Sequence, residues 1–288
     1  ATYNKGINYK PKNQSSFKHI STSTKLSIPT NGIRSIATTK SGDLWVGTED
    51  KGAILISANL DKGQHFAPNS KDPYSFCDSL VNDILQDSNG NVWFATNNGL
   101  CKYNPEYSNF TQYRTEKNKT LLSNQVLSLF EDEGGVIWMG SMNGINYWNA
   151  ATRAFKHISS ATSPQMQNDD ILSFAETPNG DYLIGSLEAG ISRYDSHKNI
   201  VAPYNLFDRM TEKEPKAISS LLLDNQENLW VGTYDRGVFK KSSIDQSVAN
   251  FNTTSTQDSD STLSSNAITK IQSLHSGNIV LSTYGGGL

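Results

Sequence analysis

Cysteine is nearly absent: Cys77 and Cys101 are the only two in 288 residues, and neither stands in a CxxC pair or in a Cys/His cluster. That excludes a cysteine-dense scaffold and a thiolate metal site. The residues favour two inert, half-buried thiols, with a disulfide between them as the lesser alternative. Charge is also sparse, at 18% of residues, with 25 Lys and Arg against 28 Asp and Glu for a net of -3. No basic stripe exists that would neutralise a phosphate backbone, so nucleic acid is not an expected partner. No apolar run approaches the roughly 18 residues of a membrane span, so this segment has no expected membrane contact. The opening ATYNKGINYK lacks a signal-peptide pattern. His19, His65, His157, His197 and His275 are scattered without partners at ligand spacing, so no metal, no cofactor and no catalytic triad is expected.

What is abundant is repetition. GDLWVGTEDKGAILIS from Gly42, GNVWFATNNGLCKYN from Gly90, GVIWMGSMNGINYWN from Gly135, GDYLIGSLEAGISRYD from Gly180 and ENLWVGTYDRGVFKKS from Glu227 align directly. A sixth copy, GNIVLSTYGGGL from Gly277, runs into the last residue. The aromatic position falls at Trp45, Trp93, Trp138, Tyr182 and Trp230, with Ile279 in the last copy, at spacings of 48, 45, 44, 48 and 49. Ahead of each copy sits an apolar pair three residues apart, such as Ile33/Ile36 or Val126/Leu129, followed by a polar turn. The spacing suits a helix, but the β-branched content and the tight turns argue for a short buried strand.

Each unit reads as four antiparallel strands, A to D. A is the apolar pair, B the LWVGT-like segment, C the segment after a turn glycine, and D a short piece such as Phe110–Tyr113 or Phe155–Ile158. Such a unit repeated is the pattern of propeller blades. The expected fold is therefore all-β, a β-propeller of four-stranded blades with six repeats in one domain spanning 1–288. Ala1–Ile7 aligns with Ser282–Leu288, so the sequence starts and stops at one phase of the repeat. That phase fits closure by strands from both termini, and equally a piece of a seven-bladed propeller.

The run Leu122–Gly140 (LSNQVLSLFEDEGGVIWMG) with Asn143–Asn149 (NGINYWN) resembles the two-component regulator propeller repeat, and the resemblance extends over the whole chain. Ala95 and Ser282 in place of the strand-B glycine, Tyr182 and Ile279 in place of Trp, and Glu227 in place of the turn glycine depart from the pattern. The resemblance implies the periplasmic sensor region of a hybrid two-component system. In that family two propellers and an immunoglobulin-like domain precede a membrane helix, a histidine kinase and a response regulator, and the ligand is an oligosaccharide. No kinase motif lies in these residues.

The recurring Trp residues are read as blade packing, and the glycines at 52, 99, 144, 190 and 237 as positive-φ turns. Variation is concentrated in the B to C turns and in the residue before strand A, two sets that propeller topology brings to one face. Candidate ligand residues there are Asp50, Lys51, Asn98, Asn143, Glu188, Tyr234, Asp235 and Arg236 from the turns, with Asn124, Asp169, Lys216 and Asn266 from the second set. Tyr3 and Tyr284 belong to the same turns. Tyr234 and Arg236 lie outside the repeat's core positions, so their loss should leave stability unchanged. Two other readings stay open: a protein-docking or homodimerising propeller, and a glycan-cleaving enzyme using a carboxylate pair among Glu49, Asp50, Glu188 and Asp235.

Overall fold

The computed structural model describes residues 4–11, 15–115, 120–149, 151–152, 154–207, 214–254, 262–274 and 276–287. Tyr3 and His275 lie outside them. The chain forms two compact units, residues 1–142 with 146–157, and residues 143–145 with 158–288.

In the first unit β1 (Ile7–Tyr9) pairs with β2 (Lys18–Ile20) as a two-stranded sheet. Two four-stranded antiparallel sheets follow in chain order, β3 (Ile33–Thr38), β4 (Leu44–Thr48), β5 (Ala53–Ile56), β6 (Gly63–Phe66), then β7 (Val81–Gln86), β8 (Val92–Thr96), β9 (Gly99–Asn104), β10 (Asn109–Tyr113). A third holds β11 (Val126–Glu131), β12 (Ile137–Ser141), β13 (Gly144–Asn149) and β14 (Ala154–Ile158). The second unit contains β15 (Ile171–Glu176), β16 (Tyr182–Ser186), β17 (Ile191–Asp195), β18 (Ile200–Tyr204), and β19 (Ile218–Leu223), β20 (Leu229–Thr233), β21 (Val238–Lys241), β22 (Val248–Phe251). It ends on the two-stranded sheet of β23 (Ile268–Ser273) and β24 (Ile279–Thr283). Strands C and D at one end and A and B at the other follow from the shared phase of the two termini.

The three-residue apolar spacing of strand A has a specific cause. Every first strand carries a register shift against its neighbour, between Ile33 and Ser35, Val81 and Asp83, Val126 and Ser128, Ile171 and Ser173, Ile218 and Ser220, and Ile268 and Lys270. The extra residue of a β-bulge returns residue i+3 to the face of residue i, so both can be buried. Val81 and Ile84 are buried in this way, whereas Ile36 stays 45% exposed. The bulge also links sheets: Leu129 N–H donates to Asp83 Oδ2 at 3.1 Å, and Ile271 N–H to Ser220 Oγ at 3.0 Å.

Second strands are buried along their length in β8, β12 and β16. Gly47 shows how closely the sheets approach, since a Cβ there would lie 2.6 Å from Val81 Cγ1. In the first unit Trp45, Phe66, Phe76, Phe94, Tyr103 and Phe110 form one edge-to-face cluster with centroids 4.9–5.8 Å apart. The second unit is instead aliphatic, built on Leu183, Ile191, Leu206, Ile218 and Val231 around Phe239. Trp45, Trp93 and Trp138 are buried on second strands as expected, and Trp230 is half-buried.

The expectation of free thiols is corrected. Cys77 and Cys101 are joined by a disulfide, with Cα atoms 5.8 Å apart. Both are buried, because the segment entering β7 folds back over β9 and sets Phe76 against Phe94 and Phe110.

Candidate functional site

The turn after each second strand is bonded to the residue just ahead of the following repeat's first strand. In the first unit the N–H groups of Gly6, Gly52 and Gly99 donate to the carbonyls of Asn31, Ser79 and Asn124 at 3.0, 2.7 and 2.7 Å. In the second, Gly144, Gly190 and Gly237 donate to Asp169, Lys216 and Asn266 at 2.8, 2.9 and 2.9 Å. Gly52 has φ 82°, and a Cβ there would strike the carbonyl oxygen of Phe66, so the position admits only glycine. Within each unit, then, the two variable loop sets do share one edge.

In the first unit Thr48 braces the Glu49–Lys51 turn, its hydroxyl donating to Gly52 O at 2.7 Å and accepting Lys51 N–H at 2.9 Å. Asp50 and Lys51 are half-exposed at the tip and face each other at 3.7 Å, while Glu49 pairs with Arg34 at 3.2 Å. Asn98 is exposed, and its carbonyl accepts from Arg114 Nε at 3.0 Å. Asn124 is built into the scaffold, with its Oδ1 accepting Thr115 N–H at 2.9 Å.

In the second unit Asp169 does the same work, accepting the N–H and hydroxyl of Ser160 at 2.8 and 2.5 Å, and Asn266 accepts Thr253 N–H at 2.8 Å. These side chains hold the exit of strand D, a role that sequence variation alone does not separate from ligand contact. Asn143, Glu188, Lys216, Tyr234 and Asp235 are exposed. Beside Glu188, the Asp170 carboxyl is raised above its ordinary range by burial first, then by the charges of Glu188 and Asp169. Arg236 departs from the expectation of a freely exposed turn residue: its guanidinium lies 5.0 Å over the buried ring of Phe239.

Tyr284 occupies the position of Tyr234 one repeat on, and the two are 64% and 43% exposed. Their N–H groups make equivalent bonds, to Ala267 O at 2.8 Å and Ala217 O at 3.2 Å. Ser219 was not apparent from the loops. Its hydroxyl is buried on β19 without a hydrogen-bond partner among the described residues. The available signal is an offset of 15 residues: Arg34 meets Glu49, Asn82 meets Asn97 at 2.9 Å, and Ser219 stands at that offset from Tyr234. On the second unit the edge therefore offers two phenol rings, an Arg head and a group of carboxylates, a set able to stack on a ring and bond to hydroxyls.

The family described as two component regulator propeller matches residues 27–50, 75–98, 120–143 and 214–235. Those four segments are two-component regulator propeller repeats. The matched segments omit the copies in which Tyr182 and Ile279 replace tryptophan. The chain is 37% identical over 79 residues to Histidine kinase P4 of Formosa agariphila, a match covering 26% of this chain and 6% of that protein. Two solved extracellular domains from B. thetaiotaomicron share its fold. One, from a hybrid two component system, aligns at TM-score 0.60 and 22% identity over 88% of this chain and 39% of its own. The other, from a one component system, aligns at TM-score 0.73 and 20% identity over 97% and 35%. Virginiamycin B lyase from Staphylococcus aureus also aligns, at TM-score 0.63 and 13% identity over 92% and 80%. The chain thus spans well under half of that histidine kinase and of the two extracellular domains, and its likeness to the lyase is one of fold.

Proposed function

We propose that this chain is the non-catalytic, ligand-sensing propeller of a hybrid two-component sensor, that it lies in the periplasm, and that it detects an oligosaccharide. The observation that carries the reading is the fixed backbone link between the turn glycines and the residues ahead of strand A. It holds one scaffold constant while side chains at its edge change from amides at Asn97–Asn98 to an exposed Tyr234 and Asp235 and a half-buried Arg236. Loops that vary on a rigid frame are where recognition is placed in repeat proteins. Tyr234 and Tyr284 supply apolar faces for a pyranose ring, and the neighbouring carboxylates and Arg236 suit its hydroxyls.

The Cys77–Cys101 disulfide supports an oxidising compartment. In this reading a second propeller and an immunoglobulin-like domain of the same protein are the neighbours, and a membrane-anchored histidine kinase, acting as a dimer, carries the output. Calorimetric titration of the intact extracytoplasmic region with defined oligosaccharides tests it. Saturable binding that Tyr234→Ala weakens is the expected result, and a failure of every glycan to bind would overturn it.

A further inference from the structure

A cleft of about 260 Å³ opens in the first unit where the β7–β8 turn meets the start of β12. It lies at the opposite strand ends from the glycine turns. Its walls include Trp93, Trp148, Lys102, Asn89 and Asn91, with Asp87 beneath. The corresponding boundary between the two preceding sheets is filled. There Tyr103 packs edge-on against Trp45 at 4.9 Å and Leu55 stands opposite Trp45, whereas Trp93 and Trp148 are 6.5 Å apart. At the cleft the equivalents of Leu55 and Tyr103 are Lys102 and Trp148, and the boundary stays open.

The lining has a definite chemistry. Lys102 Nζ lies 5.3 Å over the Trp93 ring and makes no ion pair or hydrogen bond among the described residues. Asp87 does not neutralise it. That carboxylate is 4% exposed and turned into its own hairpin, where it accepts Trp93 Nε1 at 2.9 Å, Asn91 N–H at 2.7 Å and Asn91 Nδ2 at 2.8 Å. Trp148 is half-exposed and propped by Phe155 at 4.8 Å and Tyr113 at 6.3 Å, so the indole is a rigid wall. The Asn89 side chain is exposed at the rim without a bond to any described residue.

From this we infer that the cleft binds a single saccharide unit bearing a carboxylate, a uronate. The indole takes the C–H face of the ring, Lys102 the carboxylate, and the Asn89 amide a hydroxyl. The site is separate from the glycine-turn edge and does not depend on the ligand proposed there.

The test titrates the chain with glucuronic acid and a glucuronate-terminated disaccharide, with glucose and acetate as comparisons, followed by tryptophan fluorescence and calorimetry. Both uronates should bind saturably and perturb the indole emission, glucose should bind about tenfold more weakly, and acetate should not saturate. Lys102→Met should weaken uronate binding about tenfold and leave glucose unchanged, while Trp148→Leu should weaken both sugars. If Trp148→Leu loses its near-ultraviolet dichroism, the half-exposed Lys102→Met variant still decides. Equal affinity for glucose and glucuronate, saturable acetate binding of the same strength, or uronate binding unchanged by Lys102→Met overturns the inference. Loss of uronate binding in Tyr234→Ala but not in Lys102→Met also overturns it, and assigns the ligand to the glycine-turn edge.

Discussion

The indole N–H of Trp93 donates to the carboxylate of Asp87 at 2.9 Å, six residues earlier in the chain. The same bond joins Trp138 to Asp132 at 2.8 Å and Trp230 to Asp224 at 2.8 Å. Each aspartate also accepts a backbone N–H from its own hairpin turn, from Asn91, Val136 and Asn228. One side chain thus closes the turn and fixes the orientation of the indole. Replacing Asp87 by Ala strands buried donors, which costs on the order of 1 to 3 kcal/mol. Asp224 and Trp230 are only half-buried, so Asp224→Ala should cost less, because water can take over the freed donors. Chemical unfolding of the two variants checks the order, and an Asp224→Ala loss equal to that of Asp87→Ala would contradict it.

The Cys77–Cys101 bridge closes a loop of 24 residues, for which loop-closure entropy gives about 3 kcal/mol. Reductant, or Cys101→Ser with Cys77→Ser, should therefore lower the melting temperature of the first unit and slow its recovery from denaturant. A melting curve indifferent to reductant would show that the buried aromatic cluster alone holds this connection.

Much of the fold was legible in the sequence and part was not, for physical reasons. The phase of the repeat, the positive-φ glycines and the tryptophan strands follow from residue type, because a turn glycine or a buried indole has few substitutes. The bulge left only an indirect trace, the Ile33/Ile36 spacing, because inserting a residue into a strand changes register and not composition. The disulfide was hidden for another reason: the reach of Cys77 to Cys101 depends on how a connection folds back over β9. At the candidate site, Asn124, Asp169 and Asn266 looked like ligand groups. A polar side chain bonded to a nearby turn and one aimed at solvent carry the same letter.

Glu227 has φ 61° where the aligned Gly42, Gly90, Gly135 and Gly180 have φ between 75° and 88°. A side chain in this region costs roughly 1 kcal/mol, partly offset by the freedom glycine has when unfolded. Glu227→Gly should raise stability by about 0.5 kcal/mol, read from the unfolding midpoint. A lowered midpoint would mean that the glutamate makes a compensating contact.

Asp170, Glu188 and Asp169 crowd one edge of the second unit, and the Asp170 carboxyl is raised in consequence. A raised carboxyl binds its proton more tightly in the folded chain, so ionisation works against the fold above the ordinary value of 3.8. Asp170→Asn should increase stability at pH 7, and the gain should shrink as pH falls through the folded value and vanish below 3.8, where both states of the native chain are protonated. Thermal melts across that range test the sign, and a gain that grows toward acid would refute the crowding.

Tyr234 and Arg236 separate recognition from support. The Tyr234 ring is 43% exposed, so Tyr234→Ala should weaken glycan binding about 5- to 150-fold with little change in melting temperature. Arg236 stands over Phe239, which is 2% exposed, and its guanidinium and stem shield that ring. Removing it should cost about 0.5 to 1 kcal/mol of stability whatever it does to the ligand. The contrast is measurable on two variants by calorimetry and thermal melts together. If Arg236→Ala melts like the wild type while Tyr234→Ala is destabilised, the packing and binding assignments of these neighbours must be exchanged.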